Sequence, residues 1–382
     1  MNDPRTNKAN YDVIIVGAGP AGLATGLHLI EKAPQLAERM LVLEKSRHPR
    51  FKACAGGLSS DAVRRLNGLG VDPAAGSLRI DSARLVLENT DYTTTEIHLA
   101  TDIQIVARED LDAAMLQHAR QKGLTVRENA PVQGIQWQDD GVMVRTEQGL
   151  LKTKIVVGAD GARSIVRRNM LAVKGLDSPQ TLVPTLYGRH RLNDPTDALF
   201  SKREVILDFA RMFTNGYFGY SWIFPFRFQG QAWVNSGIGG VGLPGRPQQP
   251  LKSIWSDFIA QHRLNPLAGK LHAHPLRVFH PRSVLSIDRA LLVGDAAGID
   301  PLLGEGISFS LAYARIAAQV IATALLSGNF SFSSYPTALF KTDAGQLLER
   351  LHGAALKLKR LQTAAELKKQ LLPILESAHA KV

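Results

Sequence analysis

Tyr11-Asp12-Val13-Ile14-Ile15-Val16-Gly17-Ala18-Gly19-Pro20-Ala21-Gly22 is the stretch from which the fold is read. Its first half is short and β-branched, the pattern of a strand buried on both faces. Glycines spaced G-x-G-x-x-G follow at once, and then helical Leu23-Ala24-Thr25-Gly26-Leu27-His28-Leu29. A second strand, Met40-Leu41-Val42-Leu43, ends on Glu44 and Lys45, with the acid about 20 residues beyond the last glycine. Strand, glycine turn, helix, strand and acid together make a βαβ unit suited to a dinucleotide. Gly17 permits the tight turn, Gly19 lets the backbone approach a pyrophosphate, and Gly22 lets helix and strand pack closely. The helix that starts at Pro20 offers the free N–H groups of Ala21 and Gly22 and the positive end of the dipole to phosphates. Glu44 can accept hydrogen bonds from a ribose diol, with Lys45 beside it.

Outside this unit, composition narrows the field. A chain of 382 residues, 45% hydrophobic and 21% charged, is globular and long enough for two interlocked domains. Cys54 is the only cysteine, which excludes an internal disulfide framework and any multi-cysteine metal centre. His272, His274 and His280 lie close in sequence without a pattern of metal ligands, so no metal is expected. Lys and Arg outnumber Asp and Glu by 45 to 34, a net charge of +11 that favours anionic partners: nucleotides, diphosphates, phospholipid surfaces or acidic redox proteins. No zinc-finger or RNP-type motif accompanies the charge, so nucleic acid is not expected. The first apolar run breaks into glycines, unlike a secretory signal. The longest apolar helix candidate, Ile307 to Leu326, carries Arg315 and Gln319 and reads as a buried core helix. Membrane contact would then be peripheral, on a cytoplasmic protein.

Two later segments repeat the strand-to-turn pattern. Ile155-Val156-Val157-Gly158 enters Ala159-Asp160-Gly161-Ala162-Arg163, and Ala290-Leu291-Leu292-Val293 ends on Gly294-Asp295. An acid at such a corner can accept hydrogen bonds from a polyol, and Asp-Gly is equally common in plain turns. In this order the segments resemble the glutathione-reductase-type FAD fold, in the branch shared by aromatic hydroxylases, flavin-dependent halogenases and geranylgeranyl reductases. The resemblance covers most of residues 10–330. It implies that Asp295 holds the ribityl–phosphate region of FAD and that Asp160, Gly161 and Arg163 support the nucleotide. Arg108-Glu109-Asp110-Leu111-Asp112 looks like the Arg-x-x-Leu-Asp that opens a helix beside the FAD. Gly237-Ile238-Gly239-Gly240-Val241-Gly242 also fits G-x-G-x-x-G, but Leu243-Pro244-Gly245-Arg246-Pro247 cannot open a helix. It is read as a loop after the strand Ala232-Trp233-Val234-Asn235, which leaves no separate NADPH domain.

Three stretches select a branch. Lys52-Ala53-Cys54-Ala55-Gly56-Gly57-Leu58-Ser59 resembles the Cys-x-Gly-Gly loop of geranylgeranyl reductases, which lies near the flavin ring. The resemblance makes Cys54 a candidate proton donor and Gly56 and Gly57 part of the substrate site; a free cysteine is also often a small buried hydrophobe. Tyr220-Ser221-Trp222-Ile223-Phe224-Pro225 alternates, placing Tyr220, Trp222 and Phe224 on one face of a strand. It resembles the Tyr-x-Trp-x-Phe-Pro of the reductases, although the Lys often following that proline is Phe226 here. It also resembles the Gly-Trp-x-Trp-x-Ile-Pro of halogenases, with Gly219 in place and Tyr220 where tryptophan is expected. Asp300-Pro301-Leu302-Leu303-Gly304-Glu305-Gly306-Ile307 precedes a long small-residue helix and looks like the reductase form, with Ser308 where hydroxylases carry Asn. Pro301, Gly304 and Gly306 would shape a turn whose N–H groups, with the helix start at Ile307, face the flavin ring.

The resulting expectation is an α/β protein: a Rossmann-type FAD-binding domain with a parallel sheet, interrupted by an antiparallel β-sheet substrate domain, plus C-terminal helices. The FAD-binding domain takes residues 1–75, 101–176 and 281–334, the substrate domain 76–100 and 177–280, and the helical segment 335–382. Arg189-His190-Arg191 is read as a solvated cluster. Leu347, Leu348, Leu351, Ala355, Leu356 and Leu358 suggest an amphipathic helix with a basic side, able to lie on an anionic membrane or to pack on the body. The implied activity is reduction of isoprenoid carbon–carbon double bonds by reduced FAD, with Cys54, Tyr220 or water supplying the proton and Trp222 and Phe224 gripping the apolar chain. Electrons would come from NADPH, reduced ferredoxin or flavodoxin. A flavin monooxygenase or halogenase, and a non-catalytic FAD-fold protein binding prenyl or lipid cargo, are the rivals.

Overall fold

The computed structural model describes residues 10–73, 76–89, 94–179, 181–265 and 270–379. Strand Asn10–Val16 lies at the middle of the first sheet, parallel to Met40–Leu43 on one side and Gly149–Gly158 on the other. The order is Ser286–Ile287, Ala290–Leu292, Gly149–Gly158, Asn10–Val16, Met40–Leu43, Val126–Arg127, and the hairpin Val132–Gln138/Gly141–Thr146 joins the edge of Gly149–Gly158. Val13, Ile14 and Ile15 have no exposed surface, as a central parallel strand requires. The helix Pro20–Lys32 starts inside the glycine motif, three residues before the apolar run that announced it, with Pro20 pre-set for the first turn.

The second sheet runs His272–Ala273, Thr185–Arg191, Gln231–Gly242, Tyr217–Phe228, Glu204–Asp208, Leu78–Asn89, Thr94–Ile105, Gly57–Leu58. It is antiparallel except where Glu204–Asp208 pairs parallel with Leu78–Asn89. Gly237–Gly242 is not the loop expected from its glycines: it continues the strand Gln231–Gly242, paired with Tyr217–Phe228 along its whole length. The reason is packing, because a Cβ at Gly237 would lie 2.0 Å from the Trp222 indole, so the glycine lets the ring lie against the strand. Arg189 and His190 likewise belong to a strand, not to a solvated loop. His190 is buried on one face against Ser236 and Trp255, while Arg189 turns to the other.

This sheet is sandwiched. One face (Ile223, Val234, Ile238) packs on Ile254, Trp255 and Phe258 of helix Leu251–Gln261. The other face carries Tyr220, Trp222, Phe224, Phe226 and Phe228, against Ile105, Ala107 and the Cys54 loop. The sheets are joined where Thr94–Ile105 passes through Val106 and Ala107 into helix Arg108–Gln121. The long helix Ile307–Ser327 packs along Pro20–Lys32 and ends at left-handed Gly328. Among the described residues it is the one helix long and apolar enough to cross a membrane, and 61% of its most apolar window is buried. The C-terminal helices Asp343–Leu358 and Ala364–His379 pack back on the body through Leu348, Leu351, Leu358, Leu367 and Leu371. Leu356 is the exception and is half exposed, on the outer side with Lys357.

Candidate active site

The glycine corner is fixed by sterics. A Cβ on Gly22 would sit 1.9 Å from the Gly17 carbonyl oxygen, and one on Gly17 (φ +107°) 2.4 Å from that of Ala159. Gly19 differs: its nearest neighbour is the Arg50 guanidinium at 3.7 Å, so protein packing leaves space there for a ligand. The Ala18 N–H donates to Glu44 Oε2 at 2.9 Å and the Ser46 N–H to Oε1 at 3.0 Å, which locks the acid of the second strand against the turn. Lys45 and Arg163 are exposed. Asp160 caps the helix Ile165–Lys174 by accepting from Ile165 N–H at 2.6 Å and Val166 N–H at 3.3 Å. Its other oxygen is buried without a partner, and burial raises its pKa. Gly294 lies where two helix starts meet: a Cβ there would be 2.8 Å from both Ala21 Cβ and Ser310 Oγ. Neither Gly19 nor Gly306, the caps of these two helices, supplies a side-chain acceptor, so the first N–H groups of both are available to a ligand. A Cβ on Gly306 would lie 3.5 Å from Asp295 Oδ1, so the acid of the Gly-Asp corner faces the start of Ile307–Ser327. An open glycine, an orphaned carboxylate oxygen and two uncapped helix starts form a cradle that suits a dinucleotide.

Beside it lies the Cys54 loop. The sulfur accepts from the Gly56 N–H at 3.4 Å and lies close enough to the Arg108 guanidinium to favour its charge. Arg108 in turn grips Asp112 with two bonds, Nε to Oδ1 at 2.8 Å and Nη2 to Oδ2 at 2.9 Å. Burial works against the Arg108 charge, but Asp112 and Cys54 outweigh it and hold the guanidinium above its ordinary range. Arg108 is thus committed inside the protein, between Asp112 and the thiol. Gly56 is pressed against Val106, whose N–H donates to the Gly56 carbonyl at 3.0 Å, while Gly57 lies under the Phe224 ring. Lys52 is hydrogen-bonded to His274; burial lowers the pKa of both, that of His274 to about 4, and Asp295 opposes the shift.

Tyr220, Trp222 and Phe224 share one face, and the same alternation continues through Phe226 and Phe228. The Tyr220 hydroxyl donates to the Leu303 carbonyl in the turn before Ile307–Ser327, and its ring packs on Phe209 at 5.2 Å and Trp222 at 5.9 Å. Burial, with Asp300 and Cys54 nearby, holds the phenol proton more tightly than usual. At the far end of the stripe, Arg189 is enclosed by Phe51, Tyr187, Phe226 and Phe228 and bonded twice to Glu109, at 2.7 and 2.8 Å. The turn itself holds two raised carboxyls. Burial pushes Asp300 up to about 6 and Glu305 up to about 7, the latter despite a hydrogen bond from Ser59.

The structure therefore brings Cys54, Arg108, Tyr220 and the 300–306 turn into one neighbourhood, with Gly17–Gly22 and Asp295 on the cradle beside it. Sequence reasoning placed Asp112 in the Arg-x-x-Leu-Asp motif without naming Arg108 as its partner, and it did not single out Glu109, Asn235 or the pairing of Lys52 with His274, each defined by a partner distant in the chain. For Glu109 and Asp112 the signal was present, as acids in the first turns of a helix that also carries Arg108.

Comparison with known proteins gives the same cofactor and fold. Residues 10–198 match the FAD binding domain family. The chain is 27% identical over 357 residues to the digeranylgeranylglycerophospholipid reductase of Methanococcus vannielii, spanning 87% of this chain and 83% of the other. It is 27% identical over 354 residues to the menaquinone reductase of Mycobacterium tuberculosis, spanning 81% and 76%. Among solved structures, a geranylgeranyl bacteriochlorophyll reductase-like protein of Thermoplasma acidophilum superposes with a TM-score of 0.76 at 23% identity, over 95% of this chain and 91% of that one.

Proposed function

We propose that this chain, an FAD-dependent oxidoreductase with homologues among the geranylgeranyl-type reductases, reduces carbon–carbon double bonds of an isoprenoid lipid. In this reading Gly17, Gly19, Pro20, Ala21 and Gly22 hold the pyrophosphate and Glu44 the ribose. Asp295 and Gly294 take the ribityl–phosphate region, and Pro301 shapes the turn from which Gly304, Gly306 and Ile307 present N–H groups to the ring. Bound and reduced, FAD supplies the hydride.

What remains for the polypeptide is a proton, an orientation and the exclusion of water. The observation that carries the reading is the Cys54 thiol, bonded by the Gly56 N–H beside the Arg108 cation at the foot of an aromatic stripe. Its proton, at Sγ, goes to the alkene carbon that does not receive the hydride. Arg108 is a permanent cation that balances the charge left on sulfur. Tyr220 is the weaker donor, because its proton is engaged by the Leu303 carbonyl and held tightly by burial. It serves as the inner wall. Trp222 and Phe224 supply apolar faces against which a prenyl chain aligns, and an isolated alkene demands such alignment in a dry site.

The experiment is anaerobic incubation of the reduced enzyme with prenyl diphosphates, prenyl lipids, prenylated quinones and aromatic compounds, followed by mass spectrometry. The expected product gains one H2 per double bond without oxygen. Product formed only when oxygen is admitted overturns the reading in favour of a monooxygenase or halogenase. NADPH, reduced ferredoxin and reduced flavodoxin, tested in turn, identify the donor, and co-sedimentation with anionic vesicles tests peripheral membrane contact.

A further inference from the structure

The inward face of strand Gln231–Gly242 carries Trp233, Asn235, Gly237 and Gly239, while Val234, Ser236 and Ile238 turn to the other side of the sheet. Asn235 is the anomaly: a carboxamide, 2% exposed, in register with Phe224 on one neighbouring strand and Arg189 on the other. An amide on an apolar face is costly unless both ends are bonded. Here both are. Oδ1 accepts from the Trp222 indole N–H at 3.0 Å, and Nδ2 donates to the Ala55 carbonyl at 2.9 Å. An indole nitrogen only donates and a carbonyl only accepts, so these partners fix the orientation of the amide.

Ala55 stands between Cys54 and Gly56. Two successive carbonyls of the loop are therefore tied, that of Ala55 to Asn235 and that of Gly56 to the Val106 N–H. Without Asn235 the loop loses its tie to the aromatic strand, keeping the anchors of Gly56 to Val106, Lys52 to His274 and Ser59 to Glu305, and the Trp222 N–H is left buried and unpaired. We propose that Asn235 is a positioning residue: it fastens the Cys54 loop to the aromatic strand, so that the thiol and the substrate-facing rings keep one geometry. This rests on the reductase reading for its effect on turnover, but not for its effect on the thiol.

The test exploits the absence of any other cysteine: alkylation of the chain reports on Cys54 alone. Asn235→Leu, of similar size, removes both the acceptor for Trp222 and the donor to Ala55; Asn235→Ser, smaller and polar, is the second variant should the first not fold. Both are prepared with FAD bound and treated with a maleimide, and intact mass is followed with time. Loss of the bond to Ala55 should raise the alkylation rate about tenfold, lower kcat about tenfold or more, and leave KM within about threefold. Alkylation within about twofold of wild type, or slower, in a flavin-loaded variant overturns the proposal. So does a tenfold rise in KM with kcat unchanged. If wild type reduces no prenyl compound, the reductase reading fails while the alkylation arm still decides the role of Asn235.

Discussion

The glycine corner and the Cys54 site lie side by side, but they are held by different physics. At the corner the constraint is steric: Gly17 and Gly22 are glycines because a Cβ would overlap a backbone oxygen at 2.4 and 1.9 Å. At the Cys54 site the constraint is hydrogen bonding, much of it between groups far apart in sequence: Gly56 on the sulfur, Asn235 on Ala55, Tyr220 on Leu303. The first kind fails as a block and the second bond by bond. The largest expected effect follows from this. Gly22→Val should abolish soluble folded protein, because neither backbone can yield. Gly19→Val, with no protein atom nearer than 3.7 Å, should melt as wild-type apoprotein does yet purify without flavin. If Gly19→Val unfolds, or retains full flavin absorbance, the distinction between packing glycines and a ligand-facing glycine is wrong.

In the second region the strongest single effect belongs to the thiol. Cys54→Ala should keep FAD and lose turnover by about two orders of magnitude, the usual range for a lost acid. Flavin absorbance and anaerobic turnover, measured on one preparation, separate binding from chemistry. Unchanged turnover would remove Cys54 from the mechanism and leave the corner as the only functional part of the comparison.

Glu305 lies on the border of the two regions, since Ser59, just beyond the Cys54 loop, donates to it from the second. Its pKa stands at about 7 against an ordinary 4.5, through burial first and then Asp300 and Asp61. The folded chain thus binds a proton that the unfolded chain releases. That contribution to stability is complete below pH 4.5 and is lost as pH rises through about 7. Glu305→Gln cannot ionise, so it should match wild type near pH 5 and exceed it by up to about 3 kcal/mol near pH 8. Urea melts of the apoproteins at both pH values check this; a variant less stable at the higher pH would contradict the burial of an uncompensated acid.

How much of this the sequence disclosed follows the same division. The βαβ unit, the Gly294-Asp295 corner and the face shared by Tyr220, Trp222 and Phe224 depend on short-range spacing, and spacing is visible in one dimension. The Gly237–Gly242 stretch misled because glycine density resembles a loop; the cause, an indole lying across Gly237, belongs to the neighbouring strand. Arg189 looked solvated until Glu109, 80 residues away, and four aromatic rings enclosed it. Lys52 and His274 are 222 residues apart, and Asn235 and Ala55 180. For Asn235 one clue did exist. Alternation along its strand puts a lone amide among aromatic and glycine residues, which asks for two partners without naming them.

The smallest effect is the most discriminating. Tyr220→Phe deletes the hydroxyl that donates to Leu303 and leaves that carbonyl short of a partner, a cost of about 1 kcal/mol. The ring contacts with Phe209 and Trp222 survive the change. With Cys54 as donor, turnover should fall no more than about fivefold, since only the wall is loosened. With Tyr220 as donor it should fall by about two orders of magnitude while Cys54→Ala keeps most of its turnover, and the double variant should be no slower than Tyr220→Phe. Anaerobic single-turnover rates for the two single variants and the double therefore decide which hydroxyl or thiol moves the proton. The bond to Leu303 favours the thiol, because a phenol already donating to a buried carbonyl must break that bond before it can donate to carbon.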